Sequence, residues 1–189
     1  DDQHMRNAPV SEVIREAAEP HLERGKEIIF ELNLKSKEDI SQPLIQRRPE
    51  IIHGLRNMIQ NAIDFANNKV WIVLSWSETD IKITINDDGP GFPLQMISRI
   101  GDPFVSYRKA SSPRLKQIDY QGMGLGLFIA KTLLERTNAK LSFSNGGAKE
   151  IENSKNGTQI GAIVEIVWLR SDIEAQNNFL GENENLQVF

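Results

Sequence analysis

Gly122-Met123-Gly124-Leu125-Gly126-Leu127 places a glycine at every second position, and Phe128-Ile129-Ala130-Lys131-Thr132-Leu133-Leu134-Glu135-Arg136 follows at once as a helix-forming run. The reading is a bare backbone at the start of a helix spanning residues 125–137. Unpaired N–H groups converge at such an end and the helix dipole favours negative charge, so a phosphate suits it. Two better-known nucleotide motifs do not fit. A P-loop needs Gly, four residues, Gly, then Lys and Ser/Thr. Lys131-Thr132 is preceded by Ala130, and Leu125 stands where the first glycine belongs. The dinucleotide fingerprint wants Gly-x-Gly-x-x-Gly, but Gly126 comes one residue early.

Two further motifs lie upstream, about thirty residues apart: Asn57-Met58-Ile59-Gln60-Asn61 and Asp87-Asp88-Gly89-Pro90-Gly91. The first sits in a predicted helix over residues 49–66, with Pro49 acceptable in its first turn. Ile52, Leu55, Ile59, Ala62, Ile63 and Ala66 form an apolar face that can bury against a sheet. His53, Asn57 and Asn61 fall at i, i+4 and i+8, a polar line on another face. A solvated stripe is the common explanation of such a line. Asn, however, is a mediocre helix former, and charged residues would serve solvation better. The Asp-Gly motif follows a predicted strand at 81–86; alone, it would pass as a hairpin turn.

The remaining segments complete an alternating pattern. A helix is predicted over residues 9–24, ended by Gly25, then a strand over Ile28-Ile29-Phe30-Glu31-Leu32. Strands at 70–77 and 81–86 are joined by Glu78-Thr79-Asp80. Residues 140–144 and 160–169 read as a final hairpin, the latter nearly all apolar around Glu165. Periodicity is lost over residues 92–121, where Gly101-Asp102-Pro103 and Ala110-Ser111-Ser112-Pro113 gather. A long irregular stretch inside a compact domain reads as a functional lid. Residues 1–8 read as a ragged or cloning-derived end, and 171–189 as a polar, frayed tail. The expected fold is one α/β two-layer sandwich over residues 9–170, about three helices covering one face of a mixed sheet.

Composition narrows the function. At 189 residues and 39% hydrophobic the chain can bury a real core. A net charge of −4 argues against nonspecific nucleic-acid binding. No run approaches the roughly 18–20 apolar residues of a membrane span, and the first residues lack a signal-peptide core. The absence of cysteine removes disulfides, thiolate zinc sites and cysteine nucleophiles, and fits a reducing cytoplasm. His4, His21 and His53 stand in unrelated contexts, which disfavours a histidine metal site.

Together, the Asn pair, the Asp-x-Gly-x-Gly and the glycine run resemble the ATP-binding catalytic domain shared by sensor histidine kinases, gyrase, MutL and the ninety-kilodalton heat-shock chaperone. The resemblance implies a Bergerat-type fold with a mobile ATP lid. It implies that Asn61 gives its amide oxygen to Mg²⁺ while the ion bridges the phosphates, a role one neutral ligand can fill because Mg²⁺ keeps several waters. Asp87 is then the acceptor for the adenine amino group, with Gly89 and Gly91 letting the chain turn and the base approach. Gly122, Gly124, Leu125 and Gly126 hold phosphate, and Thr158 supports the adenine site. Asp102-Pro103-Phe104 matches the phenylalanine-bearing box of histidine kinases, where Phe104 anchors the lid. Arg108 or Lys109, just beyond it, would reach the γ-phosphate.

Asn57 sets the reaction class within this resemblance. ATP-hydrolysing relatives carry there a glutamate that activates water, and an amide cannot take that proton. Transfer to an imidazole, already nucleophilic when neutral, needs only positioning and charge neutralisation. One departure stands out: where the family often has Lys or Arg three residues after the magnesium Asn, this chain has Asp64. Gly101-Asp102-Pro103-Phe104-Val105-Ser106-Tyr107-Arg108 and Asn61-Ala62-Ile63-Asp64-Phe65-Ala66 look most like the RegB/PrrB redox sensor kinases of proteobacteria.

No histidine here has the context of a phosphoacceptor. The resemblance therefore implies a catalytic fragment, monomeric by itself, of a homodimeric, membrane-anchored sensor. Its cytoplasmic portion would phosphorylate its own dimerisation domain and, through it, a response regulator. The competing readings are an anti-sigma-factor serine kinase of the same fold, which would normally retain a glutamate base, and a catalytically silent nucleotide-binding module.

Overall fold

The computed structural model describes residues 6–32, 40–97, 123–146 and 161–175. In chain order the elements are β1 (Asn7–Pro9), α1 (Val10–Ala18), a 3-10 turn (Glu19–His21), β2 (Glu27–Leu32), β3 (Leu44–Gln46), α2 (Pro49–Phe65), β4 (Lys69–Trp76), β5 (Asp80–Asp87), α3 (Leu94–Ile97), α4 (Met123–Glu135), β6 (Lys140–Asn145), β7 (Ala162–Leu169) and α5 (Arg170–Ile173). Five strands form a mixed sheet in the order β2-β4-β5-β7-β6. Only β2 and β4 pair in parallel; the other neighbours are antiparallel.

Strand alternation divides this sheet into two faces. Ile72, Leu74 and Trp76 on β4 stand opposite Ile85, Ile83 and Ile81 on β5, which in turn oppose Val164, Ile166 and Trp168 on β7. All nine are buried, and they form one core with Leu55, Met58, Ile59 and Ile63 of α2 and Leu127, Ala130 and Leu134 of α4. Each large side chain so buried contributes roughly 1.5–3 kcal/mol. Lys82 and Glu165, on the opposite face, form an ion pair, with Ser142 adding a hydrogen bond to Glu165. The two-layer sandwich is the fold expected from the pattern.

The short turns leading from α2 into β4 and from α4 into β6 reverse the chain. Together with the strand directions they make the two helices antiparallel, and Gly54 near the start of α2 lies against Leu134 near the end of α4. The start of α4, the Asn-bearing half of α2 and the end of β5 consequently share one end of the molecule. Lys26 secures the other side of this junction by donating to the carbonyls of Ala66 (2.9 Å) and Asn67 (2.6 Å), a cation at a helix C-terminus.

Four expectations need correction. The helix expected over residues 9–24 stops at Ala18, because Pro20 has no N–H to continue the ladder. Asn7 and Ala8, expected to lie in a ragged end, belong to β1, which pairs with β3, and Ala8 is buried. The start of the expected tail also packs: Ile173 is buried, Glu174 bridges to Ile45, and Arg170 holds Glu174 and the Ser77 carbonyl. The irregular segment expected to begin at Phe92 starts instead with a core residue, since Phe92 is buried, and α3 follows.

Candidate functional site

Asp87 continues the row Ile81, Ile83, Ile85 on the helix-facing side of β5. A position that would ordinarily hold a core aliphatic holds a carboxylate instead, only 2% exposed. Its Oδ1 accepts from the Gly89 N–H (2.8 Å) and the Ala162 N–H (3.3 Å), while its carbonyl accepts from Gly161 (3.0 Å). Burial pushes the Asp87 carboxyl up to about 6, the two amides pull it down, and neighbouring Asp88 adds to the rise. A desolvated anion with a strongly shifted pKa at the end of a sheet is a functional-site candidate on physical grounds.

The turn after Asp87 is built to lie close to its neighbours. A Cβ on Gly89 would overlap the Phe65 carbonyl, so the turn rests directly on the end of α2. Gly91 adopts φ +79°, a conformation side chains rarely take. Asp88 accepts from the Asn68 and Lys69 N–H groups at 2.9 and 3.1 Å, and the Asn67 side chain donates to the Asp88 carbonyl. The turn after β5 is thus seated on the end of α2 and the start of β4.

On α2, Asn57 and Asn61 are half-buried and His53 is exposed, as a polar stripe beside an apolar face requires. Asp64 lies in the same stripe, where its carboxylate takes the Arg24 guanidinium at 2.8 Å. The acidic departure at position 64 therefore carries a cation with it, delivered from beyond the 3-10 turn. Sequence spacing gave no sign of that pairing.

α4 begins at Met123, two residues earlier than expected, so Gly124, expected just ahead of the helix, falls within its first turn with Leu125 and Gly126. A side chain on Gly126 would meet open space, and Leu125 is exposed while Leu127 is buried. Gly122, Phe104, Arg108, Lys109 and Thr158 lie outside the described residues, as does most of the expected lid. Among the described residues, no group of His, Cys, Asp or Glu could by itself hold a metal ion, and no helix is long and apolar enough to cross a membrane. Gly161, Ala162, Asn145 and Arg24 belong to the neighbourhood and were missed. Asn145-Gly146 reads as a turn in sequence, and an amide donor such as that of Ala162 leaves no signature in residue type.

Comparison with known proteins identifies the family and the fold. The family model for histidine kinase-, DNA gyrase B- and HSP90-like ATPases matches residues 46–172. Sensor histidine kinase RegB of Cereibacter sphaeroides is 51% identical over 189 residues, which are 100% of this chain and 41% of that protein. The chain thus spans well under half of that relative's length. The mycobacterial sensor histidine kinase MprB shares the fold with a TM-score of 0.60 at 20% identity, over 90% of this chain and 99% of that one. Full-length ShkA in complex with AMPPNP matches with a TM-score of 0.59 at 20% identity, over 90% of this chain and 32% of that one. The chain belongs to the histidine kinase-, DNA gyrase B- and HSP90-like ATPase family.

Proposed function

We propose that this chain is the ATP-binding catalytic domain of a two-component sensor histidine kinase, transferring the γ-phosphoryl group of ATP to a histidine on a dimerisation domain of the longer protein. The observation that carries the reading is the buried Asp87 carboxylate, braced by the Gly89 and Ala162 amides. An ionised acceptor so fixed accepts from the exocyclic amine of adenine and would face the carbonyl of guanine. The relatedness to RegB and the fold shared with AMPPNP-bound ShkA support the same nucleotide class.

The phosphates run from this base site toward the start of α4, where unpaired N–H groups and the glycines at 122, 124 and 126 receive them. Asn61 fits Mg²⁺: it offers a neutral, hard amide oxygen from a half-buried helix face. Bound there with the triphosphate, the ion would neutralise charge on the transferring phosphoryl group. Asn57 leaves the site without a water-activating carboxylate on α2, which favours transfer over hydrolysis. Phe104 anchors a lid whose Arg108 or Lys109 meets the γ-phosphate, and Thr158 supports the base.

In the transfer, an imidazole nitrogen lone pair forms the N–P bond as the bond from the γ-phosphorus to the bridging oxygen breaks, and ADP leaves. The catalytic unit is cytoplasmic in a membrane-anchored homodimer that passes phosphate to a response regulator. Incubating the chain with γ-labelled ATP and a separately made helical-hairpin domain of a RegB-like kinase tests this. Acid-labile, base-stable label on histidine is expected. Label on serine would move the chain to the serine-kinase class, and none on either partner would leave a binding module.

A further inference from the structure

The turn that begins at Asp87 ends at Phe92, and a single side chain from the far edge of the sheet holds that end. Asn145, the last residue of β6, accepts from the Phe92 N–H at Oδ1 (2.6 Å) and donates from Nδ2 to the Phe92 carbonyl (2.7 Å). A primary amide satisfies both backbone groups of one residue, as a neighbouring strand would. Aspartate could supply only acceptors, turning an oxygen toward a carbonyl, and alanine neither donor nor acceptor. Gly91 makes the approach possible: a Cβ there would stand 2.7 Å from the Asn145 Oδ1. The Phe92 ring packs edge-on against Phe143, also on β6, with centroids 5.9 Å apart.

The other end of the turn is tied to the same part of the sheet. Asp87 is held by Gly161 and Ala162 at the entrance to β7. Ala162 is the register partner of Asn145, and the Gly146 N–H donates to the Gly161 carbonyl at 2.9 Å. The segment from Asp87 to Phe92 is thus a span fixed at both ends on adjacent residues of β6 and β7.

We infer that Asn145 is a positioning residue of the nucleotide site: by clamping the Phe92 backbone it fixes Gly89 and Gly91 relative to the Asp87 carboxylate. The inference rests on the reading of Asp87 as the acceptor for the base. Asn145 acts through the turn, so its loss should weaken every adenine ligand by one factor, whatever its phosphates.

Calorimetry of adenosine, ADP and magnesium-ATP binding to the wild-type chain, Asn145→Ala and Asn145→Asp tests it. Both variants should bind all three ligands about tenfold more weakly, the scale of losing a half-buried pair of hydrogen bonds to the backbone, with unchanged stoichiometry. The isosteric Asp variant keeps the test informative if Ala destabilises the fold. A merely structural role would lower the stoichiometry or the melting temperature and leave the affinity of the folded molecules intact, which overturns the inference. So would a loss confined to ATP, or wild-type affinity throughout. Wild-type protein that binds none of the three ligands would instead remove the proposed function, and the inference with it.

Discussion

At the proposed base end of the candidate site Asp87 is almost wholly buried, and the turn after it is held at one end by its own carboxylate and at the other by the Asn145 side chain. At the proposed phosphate end Asn57 and Asn61 stand half-exposed on a helix face, Leu125 is exposed, and the ion pair of Arg24 with Asp64 leaves about two fifths of each side chain in solvent. The contrast follows from what each end must recognise. A neutral base carries little charge, so discrimination depends on few hydrogen bonds made in a low-dielectric, preorganised place. A triphosphate brings its own charge, and helix ends, a metal ligand and solvent-screened cations suffice to hold it. In the proposed function one end selects and the other neutralises and transfers.

The largest effect should come from the exposed end, where the proposed function places the chemistry. Asn61→Ala is expected to slow transfer to an added hairpin domain by at least about a hundredfold, as the loss of several kcal/mol of charge stabilisation demands. Adenosine affinity should change little. Radiolabel transfer and calorimetry on the same preparation check the split, and an equal loss in both would erase the distinction between the two ends.

Next comes the buried end. Asp87→Asn should reduce ATP affinity at least about tenfold, since a charge-assisted hydrogen bond is worth roughly 1.5–3 kcal/mol. Preference for ATP over GTP should fall with it. Equal wild-type affinity for the two nucleotides would remove Asp87 from base recognition.

The raised Asp87 pKa gives two opposite pH trends. The native state holds this proton more tightly than the unfolded chain, so wild-type stability relative to Asp87→Asn should decline as pH rises from about 4 to about 6. The decline is at most about 3 kcal/mol, at 1.36 kcal/mol per pKa unit. Adenosine affinity should rise severalfold up to and through about pH 6, because only the ionised carboxylate is a full acceptor. Urea titrations and calorimetry across that range, in both proteins, measure the two trends. Parallel curves for wild type and Asp87→Asn would contradict them.

The smallest effect belongs to the Arg24–Asp64 pair. Asp64→Asn removes a negative charge near Asn61 and should raise ATP affinity about twofold at low salt, with adenosine unaffected and stability changed by under about 1 kcal/mol. A large, salt-independent change would mean that the phosphate end is better desolvated than its exposure implies.

Much of this was legible in the chain. The apolar stripe of Ile52, Leu55, Ile59, Ala62 and Ile63 gave α2 and its buried face, because helical period and burial are the same geometric fact. Alternation gave β4, β5 and β7, and Asp87 was legible as the residue that follows the predicted strand at 81–86 and opens the Asp-x-Gly-x-Gly. The Asn pair and the glycines, taken together, carried the resemblance to the ATP-binding family. Local rules misjudged the ends of segments: Pro20 cut α1 short, and Ala8 and Ile173 were drawn into the core by partners remote in sequence.

What only the tertiary structure decided is the set of contacts between positions with no sequence relation. Asn145 reaches Phe92 across 53 residues, Arg24 meets Asp64 across forty, and Ala162 offers Asp87 an amide that any residue would carry. Side-chain type and period fix which face of an element is apolar and which groups can do chemistry. Which backbone N–H faces a carboxylate, and which edge amide closes a turn, depend on strand order and register, and these are settled when the β5-β7-β6 ladder assembles.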